Sequence, residues 1–138
     1  MDTLQSLILA AIQSGRWRER IEQGVLALLT YVEDNTDGFM ILVHGQVPGE
    51  ERTYSTILNA VTAQVCYLLA IAFQHRGLDE DAATLYGQAL VGTVSNTALW
   101  WLDERTPDKH SAAQHIANLC WNGLRGLEAL PHVTQEEK

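Results

Sequence analysis

The sequence predicts an all-α protein, a helical bundle of about six helices that dimerises through its last two long helices. Three observations predict it. Apolar residues recur at helical spacing along most of the 138 residues. The one run with strand composition, Phe39-Met40-Ile41-Leu42-Val43, has no second strand to pair with, so a short buried helix is the better reading. Finally, Ala82 to Leu102 carries no charge on any face, where a surface helix should carry one apolar stripe and one charged face.

The elements follow in order. Leu4, Leu7, Ile8, Ala11 and Ile12 make a short amphipathic helix, opened by Asp2 or Thr3 and closed by Gly15. A second helix runs from about Arg16 to Glu33, with Trp17, Ile21, Val25, Leu28 and Val32 as its buried stripe. Asn35-Thr36-Asp37-Gly38 reads as a turn. After the short helix, His44 to Gly49 reads as a loop. A third long helix starts at Glu50 or Glu51 and ends at Arg76, with Gly77 as its C′ residue. Leu78-Asp79-Glu80-Asp81 starts the next helix, where Asp79 can cap and the acids oppose the positive dipole end. The break Thr106-Pro107-Asp108 separates it from a last helix containing Ala113, Ile116, Ala117, Leu119, Cys120, Trp121, Leu124 and Leu127, stopped by Pro131. Residues 1–131 are expected to form one domain and 132–138 a frayed polar tail.

Composition narrows the function. The chain is 46% apolar and 19% charged, which suits a packed globule. Nine Lys/Arg against 17 Asp/Glu, a net charge of −8, disfavour a nucleic-acid surface. Cys66 and Cys120 read as reduced, buried thiols of a cytoplasmic protein. The start of the chain lacks a basic n-region, so no signal peptide is expected. The uncharged stretch from Tyr54 to Gln74 has the length of a bilayer span. Ser55, Thr56, Asn59, Thr62, Gln64 and Gln74 interrupt it, so a buried helix of a soluble protein is preferred and no membrane partner is expected.

No catalytic motif is present: no Gly-rich phosphate loop, no G-x-S-x-G and no H-E-x-x-H. His110 and His115 are five apart and fall on different helix faces, as do His115 and Cys120. Neither a metal site, a cofactor nor an enzyme is therefore expected. Ala11, Gly15 and Ile21, followed by Arg16, Arg18 and Arg20, imitate a helix-turn-helix. Glu19 and Glu22 interleave those arginines, and a solvated first helical turn is the simpler reading.

Ser55, Asn59, Thr62 and Cys66 share one face of the third long helix. Buried polar groups need partners, which neighbouring helices or a ligand can supply. A mostly apolar cavity with a few polar anchors is the usual form of a small-molecule site. Tyr31, Phe39, Met40, Val43, His44 and Tyr54 could wall it, though plain core packing explains each of them singly. Trp100 and Trp101 point about 100° apart, so one can face the cavity and the other a partner subunit; Trp121 suits an interface. Gly87, Gly92, Gly123 and Gly126 each cost about 1 kcal/mol in a helix, which is tolerable where backbones approach closely.

The pattern Gly15-Arg-Trp-Arg-Glu-Arg-Ile21…Leu28-Leu-Thr-Tyr31 resembles the start of the regulatory domain of TetR-family transcriptional repressors. So do Ala89-Leu-Val-Gly92…Ala98-Leu-Trp-Trp-Leu102-Asp-Glu and Ala112-Ala…Ile116-Ala-Asn-Leu-Cys-Trp-Asn-Gly-Leu-Arg-Gly-Leu127. The similarity covers about Thr3 to Pro131. It implies an effector pocket enclosed by the earlier helices and a four-helix dimer interface from the last two. Effector binding then controls two DNA-reading heads. The family's N-terminal helix-turn-helix has no counterpart, since Leu4 to Ile12 corresponds to the connecting helix after it, so DNA is a partner only through that missing head. Expected effector-binding residues are Tyr31, Phe39, Met40, Val43, Tyr54, Asn59 (the polar anchor), Thr62, Cys66 and Trp100. Expected homodimer contacts are Tyr86, Leu90, Val94, Trp101, Ile116, Leu119, Trp121 and Leu124. The rival reading is a structural helical dimer with a filled core and no ligand.

Overall fold

The computed structural model describes residues 3–44 and 54–128, and every long element in them is helical. The order is α1 Thr3–Ala11, α2 Trp17–Asp34, α3 Thr36–His44, α4 Tyr54–Arg76, a single 3-10 turn Glu80–Ala82, α5 Ala83–Glu104 and α6 Lys109–Arg125. No strand occurs among the described residues. The expected loop 44–49, the start of α4 before Tyr54, Pro131 and the polar tail lie outside them, save for His44 at the end of α3.

Local chemistry explains the boundaries. The Glu19 carboxylate accepts from Arg16 N–H at 3.0 Å and closes the N-terminus of α2. Gly77 sits at φ +72°, Leu78 N–H donates to Phe73 C=O at 2.9 Å, and Gly77 N–H reaches Gln74 C=O at 3.4 Å. That is a Schellman stop, which needs a left-handed residue after the helix. Asp79 caps the 3-10 turn by accepting from Asp81 N–H, and Asp108 caps α6 by accepting from Ser111 N–H at 2.8 Å.

Two boundaries differ from expectation. Asn35 alone separates α2 from α3, because the Thr36 hydroxyl bonds back to Val32 C=O and Phe39 N–H to Asn35 C=O, so the chain re-enters a helix at once. The last helix ends at Arg125 and not near Pro131. Gly126 serves as its C-cap, and the Arg76 guanidinium donates to Leu124 C=O at 2.9 Å and Arg125 C=O at 3.1 Å. The final carbonyls are thus satisfied without another turn.

The helices associate as two pairs, α2 with α6 and α4 with α5, and α1 packs against both α2 and α4. Leu4, Leu29, Val32, Phe39, Ile57 and Leu69 are the most completely enclosed large side chains. In the α4/α5 pair the backbones nearly touch: a Cβ at Gly87 would collide with the Cys66 sulfur and lie 3.3 Å from Cys66 Cα. The two pairs are joined at both ends. Arg76, closing α4, grips the end of α6. At the opposite end Arg105, in the left-handed region at φ 58°, sends Nη2 to the Thr36 hydroxyl at 3.0 Å. Lys109 reaches Glu33 at 2.9 Å and holds the start of α6 on α2.

Candidate functional site

Between the two pairs the apolar stripes do not close completely. Ile8 of α1 and Ile12 just after it, Ile21, Val25 and Leu28 of α2, Leu58, Val61, Val65 and Leu68 of α4, and Leu90, Val91 and Val94 of α5 surround a cleft. Its enterable volume is about 80 Å³, small beside the usual range for small-molecule sites, so a larger ligand must widen it or extend through its open mouth. Gly24 lines it where α1 crosses α2, and a Cβ there would stand 3.0 Å from Ile12. Its polar residues are few. Ser95 donates its hydroxyl to Gly92 C=O at 3.2 Å, and Arg20 stands beside Trp17. The interior is thus almost pure hydrocarbon.

The nine residues expected to bind an effector stand elsewhere. Phe39 and Tyr54 are brought together, rings edge-to-face with centroids 5.0 Å apart, but both are buried as core. The Tyr54 hydroxyl donates to Ser95 C=O at 3.3 Å, and burial pushes its pKa far up. Asn59 faces solvent and Met40 is exposed. Thr62 is buried, and the Cys66 thiol, its pKa raised by burial, points to Thr84 C=O at 3.7 Å against α5. Tyr31 and Val43 are half-buried, and Trp100 is 56% exposed. None of the nine lines the cleft. The polar face of α4 is turned about a third of a revolution from the Leu58-Val61-Val65-Leu68 face. No buried polar side-chain atom among the described residues lacks a partner, so none is left to await a ligand.

The expected dimer contacts also divide. Trp101 is buried, its indole N–H donating to Pro107 C=O at 2.7 Å, and Leu124 is buried in the core. Leu90 and Val94 line the cleft, and Tyr86 stacks edge-to-face on Phe73 at 5.7 Å. Ile116 and Trp121 are half-buried, and only Leu119, 66% exposed, projects freely. The outward face of α5 instead carries Leu85, Ala89, Gly92, Asn96 and Trp100. Neither this face nor the inward one carries a charge, so helical periodicity does not say which one the bundle uses. On α6 the outward residues between its ends are Gln114, His115, Asn118, Leu119, Asn122 and Gly123, with His110 and the charged Arg125 exposed at the two ends. A second apolar notch, between Leu29, Trp100, Trp101 and Ile116, opens where α5 and α6 leave their turn.

The cleft residues that sequence reasoning missed were visible only as helix stripes. Nothing in a stripe says whether the opposing stripe fills it. Among the described residues no group of three or more His, Cys, Asp or Glu is gathered where a metal ion could be held. The segment Thr56–Arg76 is long and apolar enough to cross a membrane, with mean hydropathy 1.8. In the bundle its inner face, Ile57, Val61, Val65, Leu69 and Phe73, is buried, while Tyr67 and Ile71 on the other side are exposed.

Six helices among the described residues, with a cleft between two pairs of them, define an all-α helical bundle. The chain belongs to the tetracycline-repressor-like C-terminal domain family, whose model matches residues 17–123.

Proposed function

We propose that this domain senses a small, largely apolar effector and dimerises as part of a TetR-type, cytoplasmic transcriptional regulator, most simply a repressor. The observation that carries the reading is the double exposure of α5. One face gives Leu90, Val91 and Val94 to the cleft, and the other presents Leu85, Ala89, Gly92 and Trp100 outward without a charge. A molecule filling the cleft presses on the same rod that a second copy would seat against. Ligand affinity then differs between two dimer geometries, and that difference is what does allosteric work.

Two features support pairing through α5 and α6. Leu85 and Trp100 on α5 and Leu119 on α6 are all more than half exposed in the single chain, as is Tyr67 on α4. Gly92 and Gly123 have nothing within 4 Å of where a Cβ would stand, so the single chain gives no packing reason for either. The symmetric arrangement is a four-helix seam. DNA contact is assigned to a segment outside residues 3–128, because nine Lys/Arg against 17 Asp/Glu suit phosphates poorly.

The test is ligand-dependent stabilisation and oligomeric state measured together. A library of apolar metabolites should yield compounds that raise the melting temperature in proportion to occupancy, and sedimentation should give a dimer. A broad library without a single shift, or folded monomers at micromolar concentration, would refute the proposal.

A further inference from the structure

We propose that the ligand of this cleft is an amphipathic monoanion, an apolar chain or ring system ending in one carboxylate that rests on Arg20 at the mouth. The inference rests on the ligand-sensing reading above and adds the chemical class. The interior decides the first half. Its walls are aliphatic, its one hydroxyl, on Ser95, already donates to Gly92 C=O, and no buried polar atom waits for a partner. A ligand polar group placed inside would lose its water and gain nothing, so the head group must stay at the opening.

Charge decides the second half. Arg20 is the only ionisable residue in the lining. Its Nε donates to Gly15 C=O at 3.0 Å, and its guanidinium lies over the Trp17 ring with Cζ 5.3 Å from the centroid. Those two contacts orient the group and leave Nη1 and Nη2 without an acceptor; no carboxylate pairs with Arg20 among the described residues. The Arg20 stem covers hydrocarbon while its head stays wet, the usual posture of a long cation on an apolar rim. A guanidinium with both terminal amino groups available matches the two oxygens of a carboxylate. In a chain of net charge −8, a lone unpaired cation at the mouth of an apolar cleft selects for an anion and against a cationic or zwitterionic head.

The experiment titrates the full chain calorimetrically with octanoate, decanoate and dodecanoate below their micelle concentrations, beside the matching 1-alkanols and decylamine. Affinity should rise about fourfold per added methylene. Decanoate should bind about tenfold tighter than decanol, an advantage reduced at high salt. Arg20→Gln should abolish that advantage and leave decanol binding unchanged, while Arg20→Lys keeps part of it. Leu58→Trp, or Val91→Phe if the first does not fold, should weaken both series by filling the cleft. If decanol binds as well as decanoate, or Arg20→Gln leaves the preference intact, the anion class is wrong and the apolar sensor survives. If decanoate binding survives the filled cleft, the site is wrong. If neither series binds, the class and the sensing reading fall together.

Discussion

Replacing glycines by alanine on α5 and α6 separates contacts within the chain from contacts between copies. Any helical Gly→Ala change brings about 0.5–1 kcal/mol from backbone entropy. At Gly87 that gain meets an obstacle. The new methyl overlaps the Cys66 sulfur and stands 3.3 Å from its Cα. The thiol can rotate away by giving up Thr84 C=O, but the backbone cannot, and overpacking of this kind costs about 1–3 kcal/mol. Gly87→Ala should therefore destabilise by about 1 kcal/mol, and a Cys66→Ala background should remove the part due to the thiol and leave the part due to the close backbone. Gly92→Ala and Gly123→Ala meet open space in the single chain, so each should stabilise an isolated subunit by the full propensity term. Where a partner helix lies on them the sign reverses, and dimer dissociation should strengthen by about tenfold per site. Urea midpoints at two protein concentrations, read with sedimentation equilibrium, give both quantities. Two results would refute the reasoning. A more stable Gly87→Ala protein removes the α4/α5 close approach, and Gly92→Ala that tightens the dimer removes the α5 seam.

Three further outcomes follow from the same geometry. Leu85→Glu combined with Leu119→Glu should give folded monomers by sedimentation and circular dichroism, whereas Leu90→Glu or Leu124→Glu should unfold the chain, since those side chains point inward. Arg76→Met should leave the last carbonyls of α6 without their guanidinium, costing about 1–2 kcal/mol, with hydrogen exchange rising first around Leu124; an unchanged urea midpoint would contradict the clasp. Burial raises the thiol pKa of both Cys66 and Cys120 above the ordinary value of 9.0. The unfolded chain then loses its thiol protons first, so stability should fall as pH rises past about 9, and alkylation of Cys120 should be slow at pH 8 in the native protein and fast in urea.

Much of the bundle was readable because its signals are local. Gly77, Asp79 and Asp108 act through hydrogen bonds to residues at most five positions away, so sequence spacing alone reveals them. The stripes of α1 and α2 were readable for the same reason. Which stripe meets which is a matter of tertiary geometry. On α4 the polar series Ser55, Asn59, Thr62, Cys66 drew attention because polar residues in an apolar helix invite explanation. Yet Cys66 resolves against Gly87, and Asn59 reaches water. The cleft is a shortfall of side-chain volume between stripes that each look like ordinary core. On α5 both faces are uncharged, and no periodicity ranks one apolar face above another. Arg20 looked like part of a solvated charged turn, and only the stacking on Trp17 places it at an opening.

The two arginine latches have a mechanical consequence. Arg76 ties the end of α4 to the end of α6, and Arg105 ties the end of α5 to the start of α3, whereas the middle is hydrocarbon around a cleft. A ligand that widens the cleft is therefore expected to displace the middle of α5, near Gly92, more than its tied ends.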